Sequence, residues 1–122
     1  GVSGCALAAG LRQRGWRGSI DLLEIGRGPG GRAATRTSRQ DNGLRINHGA
    51  PLFNIRVQTP PALVKALAQR GVIRPFSGSI QSLDAQRRLG PAIADGFSDG
   101  SLWQGAGGMD RLCGGLLDLA IG

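Results

Sequence analysis

The chain has 122 residues, enough for one domain with a modest core. It is 40% hydrophobic and 19% charged, so it is neither a disordered nor a membrane-spanning composition, and no apolar run approaches the roughly 18 to 20 residues that cross a bilayer. The formal net charge is +7, from 15 basic residues of which only Lys65 is a lysine. The arginines are scattered with no run of five, there is no tyrosine, and few aromatic rings are present to stack on bases. An arginine-rich nucleic-acid binder is therefore a minor reading, and a few anion contacts explain the charge better.

The chain opens on a glycine turn, Gly1-Val2-Ser3-Gly4, and starts with Gly rather than Met, so it is read as beginning inside a longer protein and its targeting is not judged. Residues 3–15 follow as a helix. Leu7 and Leu11 stand four apart, Ala8 extends their stripe, and small residues fill the first two turns, which permits close approach to a sheet. Gly15 is placed to end the helix after Arg12 and Arg14. Ser19 to Glu24 reads as a strand with Ile20, Leu22 and Leu23 as its apolar core. Helix, short loop and strand make half of a βαβ unit, whose first strand is missing from the sequence.

A second glycine turn follows, Arg27-Gly28-Pro29-Gly30-Gly31-Arg32, with Arg36 beyond it. In a dinucleotide fingerprint of the form G-x-G-x-x-G, the second glycine lets backbone approach a pyrophosphate and the third allows close helix–strand packing. Gly1 and Gly4 have that spacing, and the helix N-terminus would then face the phosphates. Glu24 lies 20 residues after Gly4, where an acidic strand end bonds a ribose hydroxyl pair. Gly28, Gly30 and Gly31 allow positive φ, and the flanking arginines offer fork-like contacts to phosphate. The competing readings are a solvated strand end for Glu24 and a plain surface loop for the second turn.

His48 is the only histidine, and no neighbouring carboxylate in its motif prepares it as a base. One histidine and two distant cysteines supply no metal site. Cys5 and Cys113 each sit in a predicted helix among Ala and Leu and are expected to be buried free thiols rather than a disulfide. Thr59 to Gly71 reads as a helix with Thr59 as its N-cap, Leu63, Val64 and Leu67 as its apolar face, and Gly71 as its end. Val72 to Phe76 and Ile80 to Leu83 read as strands, and Asp84 to Gly100 as a hairpin or excursion. Leu102 to Gln104 reads as a short strand, and Asp110 to Ala120 as a helix carrying Leu112, Leu116, Leu117 and Leu119.

The blocks GVSGCALAAGLRQRG, IDLLEIGRGPGGRAATR and INHGAPLF resemble the N-terminal FAD-binding segment of renalase-like NAD(P)/FAD-dependent oxidoreductases, within the flavin-containing amine oxidase superfamily. The turn and helix start Gly105-Ala106-Gly107-Gly108-Met109-Asp110-Arg111-Leu112 resemble a later feature of the same family. The resemblance implies an α/β chain: a Rossmann-like FAD/NAD(P)-binding domain, incomplete because its first strand is missing, with the start of an α+β substrate domain. The implied divisions are a partial FAD-binding βαβ segment over residues 1–58, the start of the substrate domain over 59–104, and a glycine turn and helix over 105–122. It implies FAD as cofactor, with Gly1 and Gly4 at the pyrophosphate and Glu24 on the adenosine ribose. Arg27, Gly30, Gly31 and Arg32 would run along the pyrophosphate and ribityl region, with Arg32 as the main side-chain contact, and His48, Gly49 and Ala50 would approach the flavin. Two departures are Asn47 where the family has Asp, and Leu52 in place of one of an aromatic pair near Phe53.

The implied activity is transfer of a hydride from a reduced small-molecule substrate, of amine or dihydronicotinamide type, to the flavin, followed by reoxidation by O₂, with NAD(P)H as a further ligand. No catalytic side chain is assigned, because the cofactor carries the redox chemistry. The whole enzyme is expected to be cytoplasmic and to bind neither nucleic acid nor membrane. The fragment alone is expected to be inactive and to hold FAD weakly or not at all. The alternative function is a non-catalytic dinucleotide-binding module.

Overall fold

The computed structural model of the protein describes residues 1–41, 43–91 and 100–122. Helix α1, Val2–Gln13, buries Cys5, Ala8 and Ala9, one face at helical spacing. Its end is a Schellman motif. Gly15 takes φ 86°, its N–H donates to the Arg12 carbonyl at 3.0 Å, and the Trp16 N–H donates to the Leu11 carbonyl at 3.0 Å.

The expected strand over 19–24 does not form. The segment carries the right apolar residues, but among the described residues no strand lies beside it to share a ladder. An unpaired strand leaves its backbone to water. Leu23 and Ile25 are accordingly almost fully exposed, while Ile20 still packs on the core.

A single 3-10 turn, Gly31–Ala33, leads into strand β1, Thr35–Thr37, which pairs antiparallel with β2, Arg45–Asn47. Strand β3 is Phe53–Ile55. The sequence reading did not anticipate these three short strands, which are too brief to show alternation. Helix α2 spans Ala62–Gln69 and starts later than expected, with Pro61 rather than Thr59 at the cap position. A residue before proline is pushed out of the helical region, and Thr59 and Pro60 both precede one. The C-terminus repeats the first motif: Gly71 has φ 67°, its N–H reaches the Ala68 carbonyl at 3.0 Å, and the Val72 N–H reaches the Leu67 carbonyl at 3.0 Å.

Strands β4 (Ile73–Pro75) and β5 (Gln81–Leu83) fall where the sequence places them. Strand β6, Leu89–Pro91, closes an antiparallel hairpin with β5, and the remainder of the expected excursion, residues 92–99, lies outside the described residues. Strand β7, Ser101–Gly105, is the centre of a three-stranded antiparallel sheet ordered β3-β7-β4. Helix α3, Asp110–Ile121, buries Leu112, Cys113, Gly115, Leu116 and Ala120.

The core sits where α1 packs against α3, with α2 and β4 alongside. Close approach of α3 to α2 and to Val72, just before β4, depends on Gly115, where a Cβ would stand 2.6 Å from Val72 Cγ1 and 2.8 Å from Leu67 Cδ2. One buried cluster thus joins residues from all three expected segments. Cys5 and Cys113 are buried free thiols in it, and burial beside Cys5 pushes the Cys113 thiol up to about 11.

Candidate functional site

The two glycine turns lie against each other. Gly1 caps α1 without any side-chain bond. That leaves first-turn N–H groups without helical partners. In the second turn Gly30 has φ 143° and Gly31 φ 55°, backbone positions that favour glycine. They shape the 3-10 turn, in which the Ala33 N–H donates to the Gly30 carbonyl at 2.9 Å. A Cβ at Gly31 would stand 3.5 Å from the Gly1 Cα, so the turns are in van der Waals contact, and it is the positive φ of Gly31 that favours glycine there.

Glu24 stands beside this junction. One carboxylate oxygen lies 3.5 Å from the Gly1 amino nitrogen, and the other accepts the Gly26 N–H at 2.8 Å. The Gly26 N–H holds the Glu24 carboxyl below its ordinary range. Glu24 is therefore an ionised acceptor at neutral pH, as bonding to ribose hydroxyls requires.

The His48-Gly49-Ala50 stretch closes on the second turn from the other side. The Ala50 N–H donates to the Arg32 carbonyl at 2.7 Å. Gly49 has no space for a side chain, since a Cβ would stand 2.0 Å from the same carbonyl oxygen. Asn47, just before His48, is tied elsewhere: its Oδ1 accepts the Thr35 hydroxyl at 2.7 Å and the Met109 N–H at 3.0 Å. Thr35 Oγ1 in turn accepts the Asp110 N–H at 3.1 Å, and Arg45 holds the Asp110 carboxylate with two bonds at 2.7 and 2.9 Å. The N-terminus of α3 is thus capped by the β1–β2 hairpin rather than by its own residues.

These elements enclose an open cavity of about 1160 Å³. Ligand pockets run to roughly 1,000 Å³, so a dinucleotide is within its capacity. Residues 1–70 match the family described as an NAD(P)-binding Rossmann-like domain. The chain belongs to that family. No curated protein and no solved structure matches it. The matched stretch of this Rossmann-like domain holds α1, both glycine turns, β1, β2, β3 and α2, and a domain of this kind is typical of dinucleotide-binding oxidoreductases.

Within the Rossmann-like domain, the expected contact residues divide into two groups. Glu24, Arg27, Gly31 and His48 line the cavity together with Gly28. Gly1, Gly4, Gly30, Arg32, Gly49 and Ala50 do not line it; all but Gly4 form the frame behind it through the contacts just described. A Cβ at Gly4 would meet only Leu22 Cδ2 at an ordinary 3.5 Å, so close packing there does not demand glycine. The cavity also has contributors that the motif reading left aside. Arg39 follows β1, and Arg111, Gly114 and Asp118 project from α3, outside the matched residues. Their signal in the sequence is the i, i+3, i+7 spacing of those three on the polar side of α3. Among the described residues there is no group of three metal-ligating side chains, and no helix is long and apolar enough to cross a membrane.

Proposed function

We propose that this Rossmann-like domain is the FAD-binding part of a flavin-dependent oxidoreductase of the renalase-like, amine oxidase type. The observation that carries the reading is the junction of the two glycine turns beside an ionised Glu24, at the edge of a cavity of dinucleotide size. Glycines at positive φ let backbone pass close to phosphate, and Glu24 supplies the acceptor for a ribose hydroxyl pair. The residues present therefore fit the group. FAD, when bound, supplies hydride acceptance from a reduced substrate of amine or dihydronicotinamide type.

The chain's own residues bind and orient. Gly28 and Gly31 offer a close, side-chain-free approach, and Arg27 adds a guanidinium for phosphate. Gly49 and Ala50 hold the Arg32 backbone in place, and so fix the shape of the turn. His48 faces the same cavity and could donate or accept a hydrogen bond to a ligand there.

The test is a titration of the protein with FAD and, separately, with NADH, followed by nuclear magnetic resonance of the backbone amides. FAD is expected to shift Gly28, Gly30, Gly31 and the first amides of α1, and Glu24→Ala is expected to weaken binding by about tenfold, the loss of a charge-assisted bond. Binding of NADH alone would assign the site to a nicotinamide dinucleotide and remove the flavin reading. Because the chain alone is expected to hold FAD weakly, the titration runs to a large ligand excess and is repeated on the longer protein; no shift with either ligand there would overturn the proposal.

A further inference from the structure

Four arginines line the cavity: Arg27 from the second glycine turn, Arg36 from β1, Arg39 just beyond it, and Arg111 from α3. Among the described residues none of the four pairs with a protein acceptor, whereas Arg12, Arg45 and Arg88 each do. The acids at the same cavity do not cancel them. Asp110 is already taken by Arg45, which leaves Glu24 and Asp118, two carboxylates against four arginines. A concave site with unpaired positive charge concentrates its field on an incoming anion.

Arg36, Arg39 and Arg111 come from outside the glycine turns, and α3 adds room beside them. Gly114 lines the cavity one turn from Arg111, and nothing stands within 4 Å of where its Cβ would be. Guanidinium forks match the paired oxygens of phosphate and carboxylate. We propose that Arg36, Arg39 and Arg111 form an oxyanion-binding wall that takes a phosphate or carboxylate distinct from the dinucleotide's pyrophosphate. The inference rests on the dinucleotide reading only in placing the pyrophosphate at the glycine turns. The oxyanion belongs either to the phosphorylated ribose of a nicotinamide dinucleotide, the further ligand named above, or to an acidic reaction partner.

The test titrates inorganic phosphate into the protein in the presence of ADP-ribose, with backbone amide resonances as the readout. The double substitution Arg36→Gln with Arg111→Gln is expected to weaken phosphate binding by about tenfold or more while ADP-ribose affinity stays within about twofold, since charge-assisted contacts act locally. Equal phosphate binding in the double variant overturns the proposal. So does competition between phosphate and ADP-ribose for the same resonances, or an equal loss of both, and in that case the dinucleotide reading survives. If ADP-ribose shifts nothing while phosphate binding still needs the two arginines, the wall stands and the dinucleotide reading fails. Should the double variant not fold, Arg39→Gln alone carries the test, with a loss of about threefold expected. Displacement of phosphate by 2′-phosphorylated ADP-ribose assigns the oxyanion to the dinucleotide; displacement by acetate and not by that ligand assigns it to the reaction partner.

Discussion

Replacing Asn47 by leucine should unfasten α3 from the hairpin that caps it. Asn47 Oδ1 accepts from Thr35 Oγ1 at 2.7 Å and from the Met109 N–H at 3.0 Å, so the substitution removes two hydrogen bonds at once. A net hydrogen bond contributes about 1 kcal/mol, and a buried donor left without an acceptor costs about 1–3 kcal/mol more. Met109 is 1% exposed, so water does not readily replace the lost acceptor. The expected loss is about 2–4 kcal/mol, a large share of the roughly 5–15 kcal/mol that holds a domain folded. For a chain of this size that lowers the melting temperature by about 6–15 °C. Thermal unfolding followed by far-ultraviolet circular dichroism measures it. Asn47→Asp is the control, because both contacts are to the oxygen and a carboxylate at a helix N-terminus is favoured. It should stay within about 1 kcal/mol of the parent. A leucine variant as stable as the parent, or an aspartate variant as unstable as the leucine one, would refute the cap.

The adjacent helical glycines should behave oppositely. Gly115→Ala forces a Cβ to within 2.6 Å of Val72 Cγ1, and should cost about 1–3 kcal/mol in urea unfolding. Gly114→Ala meets nothing and should gain up to about 1 kcal/mol from helix propensity. Gly49→Ala, with its Cβ 2.0 Å from a backbone oxygen, should both destabilise the protein and shift the amide resonances of residues 30–32. The Cys113 thiol has a folded-state value raised to about 11, above its unfolded value. Its contribution is fully present below the unfolded value, near 8.5. It is lost as pH rises from there through about 11. Stability should therefore decline over that alkaline range, and Cys113→Ala should flatten the decline. Iodoacetamide at mildly alkaline pH should label Cys113 slowly in the folded protein and fast in denaturant.

Local chemistry was legible in the residues themselves. Gly15 and Gly71 end their helices because only a residue free to take positive φ completes those turns, but the Leu7–Leu11 stripe did not mark the buried face of α1: Leu7 is 65% exposed, Cys5, Ala8 and Ala9 are buried, and the helix packs on α3 rather than on a sheet. The second glycine turn was equally plain, since Gly30 and Gly31 occupy conformations that other residues resist. What tertiary structure decided is everything that needs a partner from afar. Ser19 to Glu24 has strand residues but no strand, because a ladder belongs to two segments and not to one. Thr59 yielded to the prolines after it. Asn47 looked like a departure from a motif beside His48, and the fold shows its oxygen capping a helix 62 residues away. The same long-range closure sets Arg111 and Gly114 beside the glycine turns, because α3 packs on α1 through a core to which both helices contribute.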